Sequence, residues 1–274
     1  MSYRLVVLDL DGTVLRSDGE VSPRTRRAVQ SARNAGLLVM VATGRRLRDA
    51  LPPARQLGLE GPGIFCNGAL ALDLTSWRTL LYAPLRSVGT AAVAQWREQG
   101  LAPLVCRHTL RGPDLLYGAA VPLTPHWVRR ARNEGEVARS ADLAAAADGA
   151  VKLLAIDEAD RIRAAAAICG LPATTMVSCG AGGTALLELW REGVTKASAV
   201  RELAERAGIR RQEIVAFGDN QNDVELLAYA GLGVAVANAV PAARAAARAV
   251  CGTCDDDGVA AVLEQLVRDT RVAV

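Results

Sequence analysis

Four groups of polar residues in this 274-residue chain stand at positions where a parallel sheet binds ligands. Three of the groups directly follow apolar runs, and the fourth opens a predicted helix. The groups are Asp9 with Asp11 after LVVL, Thr43 after LLVMVA, Lys196 at the helix start, and Asp219 with Asp223 after IVAF. Ligands of open parallel sheets bind outside the carboxyl ends of the strands. We therefore expect the chemistry of the protein at these positions.

The carboxylates in these groups suit a divalent metal ion. Asp9 and Asp219 follow two different strands and are hard oxygen ligands, which Mg²⁺ accepts together with water and a substrate phosphate oxygen. A turn at Gly12 lets the Asp11 side chain fold over a substrate while the Asp11 carbonyl stays near the metal. If the ligand is a phosphoryl group, each of these residues has a physical role beside it and Mg²⁺.

Hydrogen-bond donors accompany the carboxylates. Four donors would stabilise the negative charge that develops on phosphoryl oxygens in the transition state. They are the Thr43 hydroxyl, the free backbone N–H groups of Gly44 and Arg45, and the Lys196 ammonium. Each motif alone is more often a helix cap, a turn or a solvated charge. Their joint occurrence in this order favours a functional site.

The elements that would position these residues follow two patterns. The first part of the chain reads as βαβαβ, with a helix over 22–35, and predicts parallel strands with right-handed crossovers. From about residue 75, several apolar runs follow one another without room for a crossover helix, which predicts an antiparallel or mixed sheet. After GVTK the first pattern returns, starting with a helix over 196–207.

We therefore predict an α/β fold, with a Rossmann-like parallel-sheet core and an inserted α+β domain. The predicted core comprises residues 1–83 and 188–274, and the predicted insertion comprises residues 84–187. The apolar run LVVL is predicted to be the central strand of the core.

The motifs together resemble those of the haloacid dehalogenase superfamily. The four motifs are DLDGTVL at 9–15, ATGR at 42–45, GVTK at 193–196 and GDNQND at 218–223. Three further pieces resemble the Cof-type sugar-phosphatase branch: CNGA at 66–69, VANA at 236–239 and DDDGVAAVLE at 255–264. VANA departs from the Met-Gly-Asn-Ala usual in that branch, and this weakens the subfamily assignment more than the chemistry.

The resemblance implies a Mg²⁺-dependent phosphatase that acts on a small phosphomonoester, with a sugar phosphate expected, through an aspartyl-phosphate. By this resemblance Asp9 is the nucleophile and Asp11 is the general acid and then the general base. The implied Mg²⁺ ligands are Asp9, the Asp11 carbonyl and Asp219, with Asp223 acting directly or through water. The resemblance assigns phosphate binding to Thr43 and Lys196, and makes Asn222 a residue that orients the substrate or Lys196. The inserted α/β cap over 84–187 would close over the site and select the leaving group.

Two other functions stay open at this point. A phosphomutase or phosphotransferase would use the same Asp9 nucleophile and pass the phosphoryl group to a second substrate hydroxyl. A non-catalytic regulator that binds a phosphorylated ligand is the other alternative, since response-regulator receivers also combine acidic residues, Thr and Lys on a parallel sheet. The order of the motifs and the large insertion argue against a receiver.

The composition gives no strong reason to expect a nucleic acid or a membrane as partner, and the small phosphate ester remains the expected one. The chain has 32 Lys and Arg against 29 Asp and Glu, so its net charge of +3 gives no reason to expect nucleic acid or an anionic membrane. No apolar run approaches the roughly 20 residues of a membrane helix, and no signal-peptide pattern opens the chain. We expect a cytoplasmic monomer or weak homodimer.

Two minor motifs have simpler interpretations. Cys251 and Cys254 form a CxxC, but a structural zinc site usually needs a second pair or histidines, and the two histidines lie far away in sequence. The stretch CGAGGTA at 179–185 mimics a dinucleotide fingerprint, but no long helix follows it. We interpret it as a glycine-rich turn that joins two strands.

Overall fold

The computed structural model describes residues 3–118, 135–179 and 181–272. The strands, numbered along the chain, are β1 (Leu5–Leu8), β2 (Leu38–Val41), β3 (Pro62–Phe65), β4 (Leu70–Asp73), β5 (Thr79–Tyr82), β6 (Leu104–Arg107), β7 (Leu115–Tyr117), β8 (Val137–Arg139), β9 (Ala150–Glu158), β10 (Ala173–Cys179), β11 (Thr184–Arg191), β12 (Ile214–Gly218), β13 (Leu232–Val236) and β14 (Ala249–Cys251). The α-helices are Pro23–Asn34, Leu47–Gln56, Ser87–Glu98, Leu143–Asp148, Ala159–Ala167, Lys196–Arg206, Val224–Tyr229, Pro241–Ala246 and Gly258–Val272.

The chain divides into two compact units. One comprises Met1–Leu81 together with Thr195–Val274, and the other comprises Tyr82–Val194. The predicted boundaries at 84 and 187, and the role of the middle segment as a substrate-selecting cap, stay predictions. One of the apolar runs that follow residue 75, LLYGAAV at 115–121, lies partly outside the described residues, after Gly118. No helix in the described ranges is long and apolar enough to cross a membrane.

A five-stranded parallel sheet forms the centre of the first unit. Its order is β14-β13-β12-β1-β2, and its strand pairs are parallel. All four residues of β1 are buried because both faces of this strand are covered, and its side chains on one face pack into an apolar core with residues of the helix Lys196–Arg206. Strands of buried parallel sheets are continuously apolar for this reason. The predicted α/β fold is confirmed, but the middle strand of the five is β12 rather than β1.

The third strand of the predicted βαβαβ unit departs from the parallel sheet. Its link to that sheet is a single parallel bridge between Ala42 and Ile64, and β3 instead pairs antiparallel with β4 in a separate sheet of order β3-β4-β5. The cause is the tight turn Cys66–Gly68, in which all three residues have positive φ angles of 50°, 57° and 105°. This turn reverses the chain at once, so β4 lies beside β3.

The middle unit contains a mixed sheet, as the sequence predicts. Its order is β10-β11-β9-β6-β7-β8, in which β7 and β8 are parallel and the other pairs are antiparallel. An apolar core that includes Trp96, Leu153 and Leu187 packs helices against one face of this sheet. The prediction for CGAGGTA is confirmed, because this segment joins the antiparallel strands β10 and β11.

Candidate active site

The carboxyl ends of two neighbouring strands bring the acidic residues together. Asp9 directly follows β1 and Asp219 directly follows β12, and the register pairs Leu8 with Phe217 at the ends of these strands. The Asp9 N–H donates to the Phe217 carbonyl at 3.2 Å, which fixes the main chain at the start of the site. Carboxylate oxygens of Asp9, Asp219 and Asp223 all lie within 4.8 Å of one another. The structure thus places three of the predicted site residues in one cluster.

Lys196 joins this cluster from the start of a helix. The Thr195 side chain caps the helix and accepts from the Ser198 N–H at 3.1 Å, while the Ser198 hydroxyl accepts from the Thr195 N–H at 2.9 Å. This reciprocal pair fixes the first turn. Lys196 Nζ donates to Asp9 Oδ1 at 2.6 Å and to Asp223 Oδ1 at 2.7 Å. Burial alone would lower the pKa of Lys196, but the negative charges of Asp223 and Asp9 outweigh it and raise that pKa above its usual value.

The cluster holds more negative than positive charge. Burial and the Asp223 charge raise the pKa of Asp9 well above its usual value, even though Lys196 acts in the opposite direction. The same two causes raise the pKa of Asp219 to about 6. The single ammonium of Lys196 therefore does not offset the burial and the mutual repulsion of these carboxylates. A hard divalent cation would supply further positive charge, so the residues present fit Mg²⁺.

Asp223 organises the turn that carries Asp219. Its Oδ1 accepts from Lys196, and its Oδ2 accepts from the N–H groups of Asp219 at 3.2 Å and Asn220 at 3.1 Å. Both of its oxygens are therefore occupied. Oδ2 of Asp9 and Oδ2 of Asp219 have no hydrogen bond to any described residue, so these two oxygens are the ones available to a metal ion.

The DLDGTVL motif folds as a tight turn against Asp219. Gly12 has a φ angle of 69°, and a Cβ on it would collide with Asp219 Oδ2, so another residue would be strained and would block the carboxylate. Asn238 of VANA donates to the Gly12 carbonyl at 2.7 Å. The Asn238 Oδ1 accepts from the Cys254 N–H at 2.9 Å. Asn238 is thus a supporting residue to which the sequence motif gave no role.

Asp11 is held by the guanidinium of Arg45. The Asp11 side chain is 60% exposed, and its two oxygens accept from Arg45 Nε at 2.8 Å and from its terminal nitrogen Nη2 at 2.6 Å. The prediction of a free Arg45 N–H was wrong, because this group donates to the Thr43 hydroxyl at 3.1 Å. Sequence reasoning missed the side-chain pair, since ATGR indicates a loop but not the direction of its arginine.

The ATGR loop is attached to the CNGA turn. Thr43 is buried, its N–H donates to the Ile64 carbonyl at 3.0 Å, and its carbonyl accepts from the Asn67 N–H at 3.1 Å. Asn222 donates through Nδ2 to Asn67 Oδ1 at 2.8 Å. The hydrogen bonds that the structure gives Lys196 run to Asp9 and Asp223, so of the two roles predicted for Asn222, the orientation of Lys196 has no support in this geometry.

The two cysteines of the CxxC motif have raised pKa values. Cys251 and Cys254 are both free. Burial raises the pKa of Cys251 to about 11, and burial together with the Asp255 charge raises that of Cys254. A raised pKa lowers the fraction of thiolate, the nucleophilic form, at neutral pH, and the absence of a zinc site here stays a prediction.

Comparison with known proteins identifies the family. The haloacid dehalogenase-like hydrolase family matches residues 6–263. The chain is 29% identical over 266 residues to phosphoglycolate phosphatase of Methanopyrus kandleri, an alignment that covers 97% of each protein. It is 27% identical over 274 residues to pyridoxal phosphate phosphatase of Escherichia coli, covering 95% of this chain and 97% of the relative.

Solved structures agree with these relatives. The fold superimposes on the crystal structure of a haloacid dehalogenase-like hydrolase from Bacteroides thetaiotaomicron with a TM-score of 0.80 and 26% identity. The match covers 97% of this chain and 100% of the other. The protein therefore belongs to the haloacid dehalogenase-like hydrolase family and is a phosphatase of that family.

Proposed function

We propose that this phosphatase is a Mg²⁺-dependent enzyme that hydrolyses a small phosphomonoester, a sugar phosphate above all, with Asp9 as the nucleophile. The observation that carries the proposal is the buried cluster at the ends of β1 and β12, where Lys196 bridges Asp9 and Asp223 beside the carboxylate of Asp219. The two relatives named above act on pyridoxal phosphate and phosphoglycolate by their names, and both compounds are small phosphate esters.

The first chemical step transfers the phosphoryl group to Asp9. A carboxylate oxygen of Asp9 forms a bond to phosphorus, and the bond between phosphorus and the ester oxygen breaks. Asp11 in its protonated form gives a proton to the departing oxygen, which leaves as an alcohol. Thr43, Gly44 and Lys196 donate to the phosphoryl oxygens, and Asn222 orients the group from the opposite loop.

The second step returns Asp9 to its starting state. Asp11, now ionised, takes a proton from a water molecule as the water oxygen bonds to phosphorus. The bond between phosphorus and Asp9 breaks, and inorganic phosphate leaves. Asp11 must be free of the Arg45 guanidinium to accept and donate this proton, so the ion pair seen in the structure belongs to the resting state.

Asp9, Asp219 and the carbonyl of Asp11 are the proposed Mg²⁺ ligands, and Asp223 supports them. Mg²⁺ bound there supplies positive charge that stabilises the phosphoryl oxygens in the transition state. Asp223 fixes the turn of Asp219 through its two backbone hydrogen bonds and shares Lys196 with Asp9.

We further propose that residues 84–187 select the leaving group, since selection requires contacts beyond the phosphate.

Phosphate release from a panel of sugar phosphates, nucleotides and other phosphomonoesters tests the proposal. The panel is run with Mg²⁺ and with EDTA, on the native protein and on Asp9→Asn. We expect metal-dependent release by the native protein and a loss of at least about a thousandfold in the variant. Undiminished release by Asp9→Asn would exclude the nucleophile, and an isomerised phosphosugar in place of free phosphate would identify a mutase.

A further inference from the structure

Asn67 occupies a special position in the CNGA turn. It is 1% exposed and has a φ angle of 57°, in the left-handed region that Asn tolerates better than most residues. Its N–H donates to the Thr43 carbonyl, and the N–H of the preceding Cys66 donates to the Arg45 carbonyl at 2.9 Å. The backbone on both sides of Gly44 is therefore attached to this turn.

The Asn67 side chain lies between two loops of the site. Its Oδ1 accepts from Asn222 at 2.8 Å, which connects it to the GDNQND loop. On the other side it abuts Gly44, where a Cβ would come within 2.9 Å of the same oxygen. The amide group therefore packs directly against the loop whose Thr43 and Gly44 are proposed to bind phosphate.

This amide pair is incompletely satisfied by protein atoms. Asn67 Nδ2 and Asn222 Oδ1 are both buried and have no hydrogen-bond partner among the described residues. A buried polar atom without a partner costs roughly 1–3 kcal/mol, so such atoms in a folded protein indicate a ligand or an ordered water. Nδ2 is a donor and requires an acceptor, and a phosphate oxygen is the acceptor that a substrate would bring to this loop.

We infer that the Asn67 side chain is a phosphate-binding group of this enzyme, with Nδ2 donating to an oxygen of the bound phosphate ester. The inference rests on the proposed function, because it places the phosphate against the Thr43–Gly44 loop. It adds to the site a residue outside the four recognised motifs. The accompanying bond to Asn222 holds that donor in place before the substrate arrives.

Two substitutions test the side-chain donor of residue 67 separately from its left-handed backbone conformation. Asn67→Gly removes the amide and keeps the positive φ without strain. Asn67→Asp keeps the size, the left-handed conformation and an oxygen that accepts from Asn222, but replaces the donor with a negative charge. Gln95→Ala is the matched control, since Gln95 also has a buried amide oxygen without a partner among the described residues but lies in the other unit.

The readouts are the inhibition constant of inorganic phosphate with Mg²⁺ present, KM, kcat and the thermal unfolding midpoint. A hydrogen bond to a charged group contributes enough that its loss weakens binding by about tenfold or more. We expect the inhibition constant and KM to rise by that factor in Asn67→Gly and further in Asn67→Asp, with little change in the inhibition constant of phosphate in Gln95→Ala. Unchanged phosphate inhibition in either folded Asn67 variant overturns the inference.

A measurement on the native protein covers the case in which both variants fail to fold. The side-chain amide of Asn67 is followed by ¹⁵N NMR while inorganic phosphate is added with Mg²⁺. A shift of this signal and slower exchange of its protons support the inference, and an unaffected signal overturns it. If the native protein releases no phosphate from any ester but this signal responds, the proposed function fails while the binding group stands.

Discussion

Two buried lysines, one in each unit, form ion pairs of different composition. In the middle unit, Lys152 Nζ lies 2.5 Å from Glu188 Oε1, and the side chains are 4% and 7% exposed. In the other unit, Lys196 lies 2.6 Å from Asp9 and 2.7 Å from Asp223, and the carboxylate of Asp219 joins the same cluster. In the middle unit the Glu188 carboxylate has a lysine of its own, whereas the other cluster sets one lysine against three carboxylates.

This difference separates a structural ion pair from a site for a charged ligand. A buried pair of one cation and one anion can be neutral, and such pairs can often be replaced by apolar residues without loss of stability. When all three carboxylates are ionised, Lys196 alone does not balance their charge, and the raised pKa values of Asp9 and Asp219 reflect that. Among the described residues, this cluster is the acidic group in range to hold a metal ion.

The largest expected effect comes from removing each lysine. With Mg²⁺ present, we expect Lys196→Met to lower kcat/KM for phosphate release by about a hundred- to a thousandfold, because a preorganised positive charge on the phosphoryl oxygens is lost. Lys152→Met leaves Glu188 buried without its cation and should lower the free energy of unfolding by about 3–5 kcal/mol. Its activity per folded molecule should stay close to native. Denaturant unfolding and steady-state kinetics measure the two quantities.

Paired substitutions sharpen this contrast. Lys152→Met combined with Glu188→Leu should recover most of the lost stability, since both charges are gone. Lys196→Met combined with Asp223→Leu should recover no activity, because that cluster serves the reaction and the Asp219 turn loses its two hydrogen bonds. If the second pair regained native turnover, the distinction between the two lysines would be wrong.

A smaller effect is expected from Asp219→Asn, and it depends on pH. The folded protein raises the pKa of Asp219 from its usual 3.8 to about 6, through burial and the Asp223 charge. Between these two pH values the folded state keeps a proton that the unfolded state has lost, so the ionised group destabilises the fold above pH 6. In EDTA, the native protein should therefore gain stability relative to Asp219→Asn as the pH falls from about 7 to 5. Chemical denaturation at several pH values measures the difference.

Asp73 provides a control of opposite sign. The Ser76 backbone N–H lowers the pKa of Asp73, so its contribution to stability is present at neutral pH and is lost as the pH falls through the lowered value. Asp73→Asn should thus differ from native most at neutral pH. The Mg²⁺ requirement gives a second measurement on Asp219→Asn. We expect the Mg²⁺ concentration for half-maximal activity of this variant to rise by at least about tenfold. An unchanged Mg²⁺ requirement would contradict the proposed ligand role.

Much of the fold could be predicted from local patterns. The apolar runs of β1, β2, β12 and β13 are buried on both faces, and that environment leaves a continuous apolar signature in the sequence. β14 was missed because its three residues form an exposed edge with no such signature. The departure of β3 was missed because it depends on the conformation of the Cys66–Gly68 turn, which the apolar pattern does not encode.

The candidate site divides in the same way. Asp9, Asp219 and Lys196 could be predicted to meet because they stand at the carboxyl ends of strands and at a helix start, which the topology fixes. Asn67 and the Arg45 guanidinium could not be placed, since their positions depend on contacts with residues more than 30 positions away along the chain. Such contacts form only after the loops have been arranged by the fold.

The smallest expected effect on stability comes from Arg45, whose ion pair with Asp11 is partly exposed, unlike the buried ion pairs of the two lysines. Arg45→Lys keeps the positive charge but loses the two parallel hydrogen bonds to Asp11. Because the Asp11 side chain is 60% exposed, we expect the free energy of unfolding to change by less than about 1 kcal/mol. We expect kcat to rise up to about several-fold, since Asp11 must leave the Arg45 guanidinium before it transfers a proton. Arg24→Lys is the matched control, because Arg24 makes the same two-bond contact with Glu264 at 2.9 and 2.8 Å and should leave kcat unchanged. A lower kcat in Arg45→Lys would mean instead that the arginine positions the acid for catalysis.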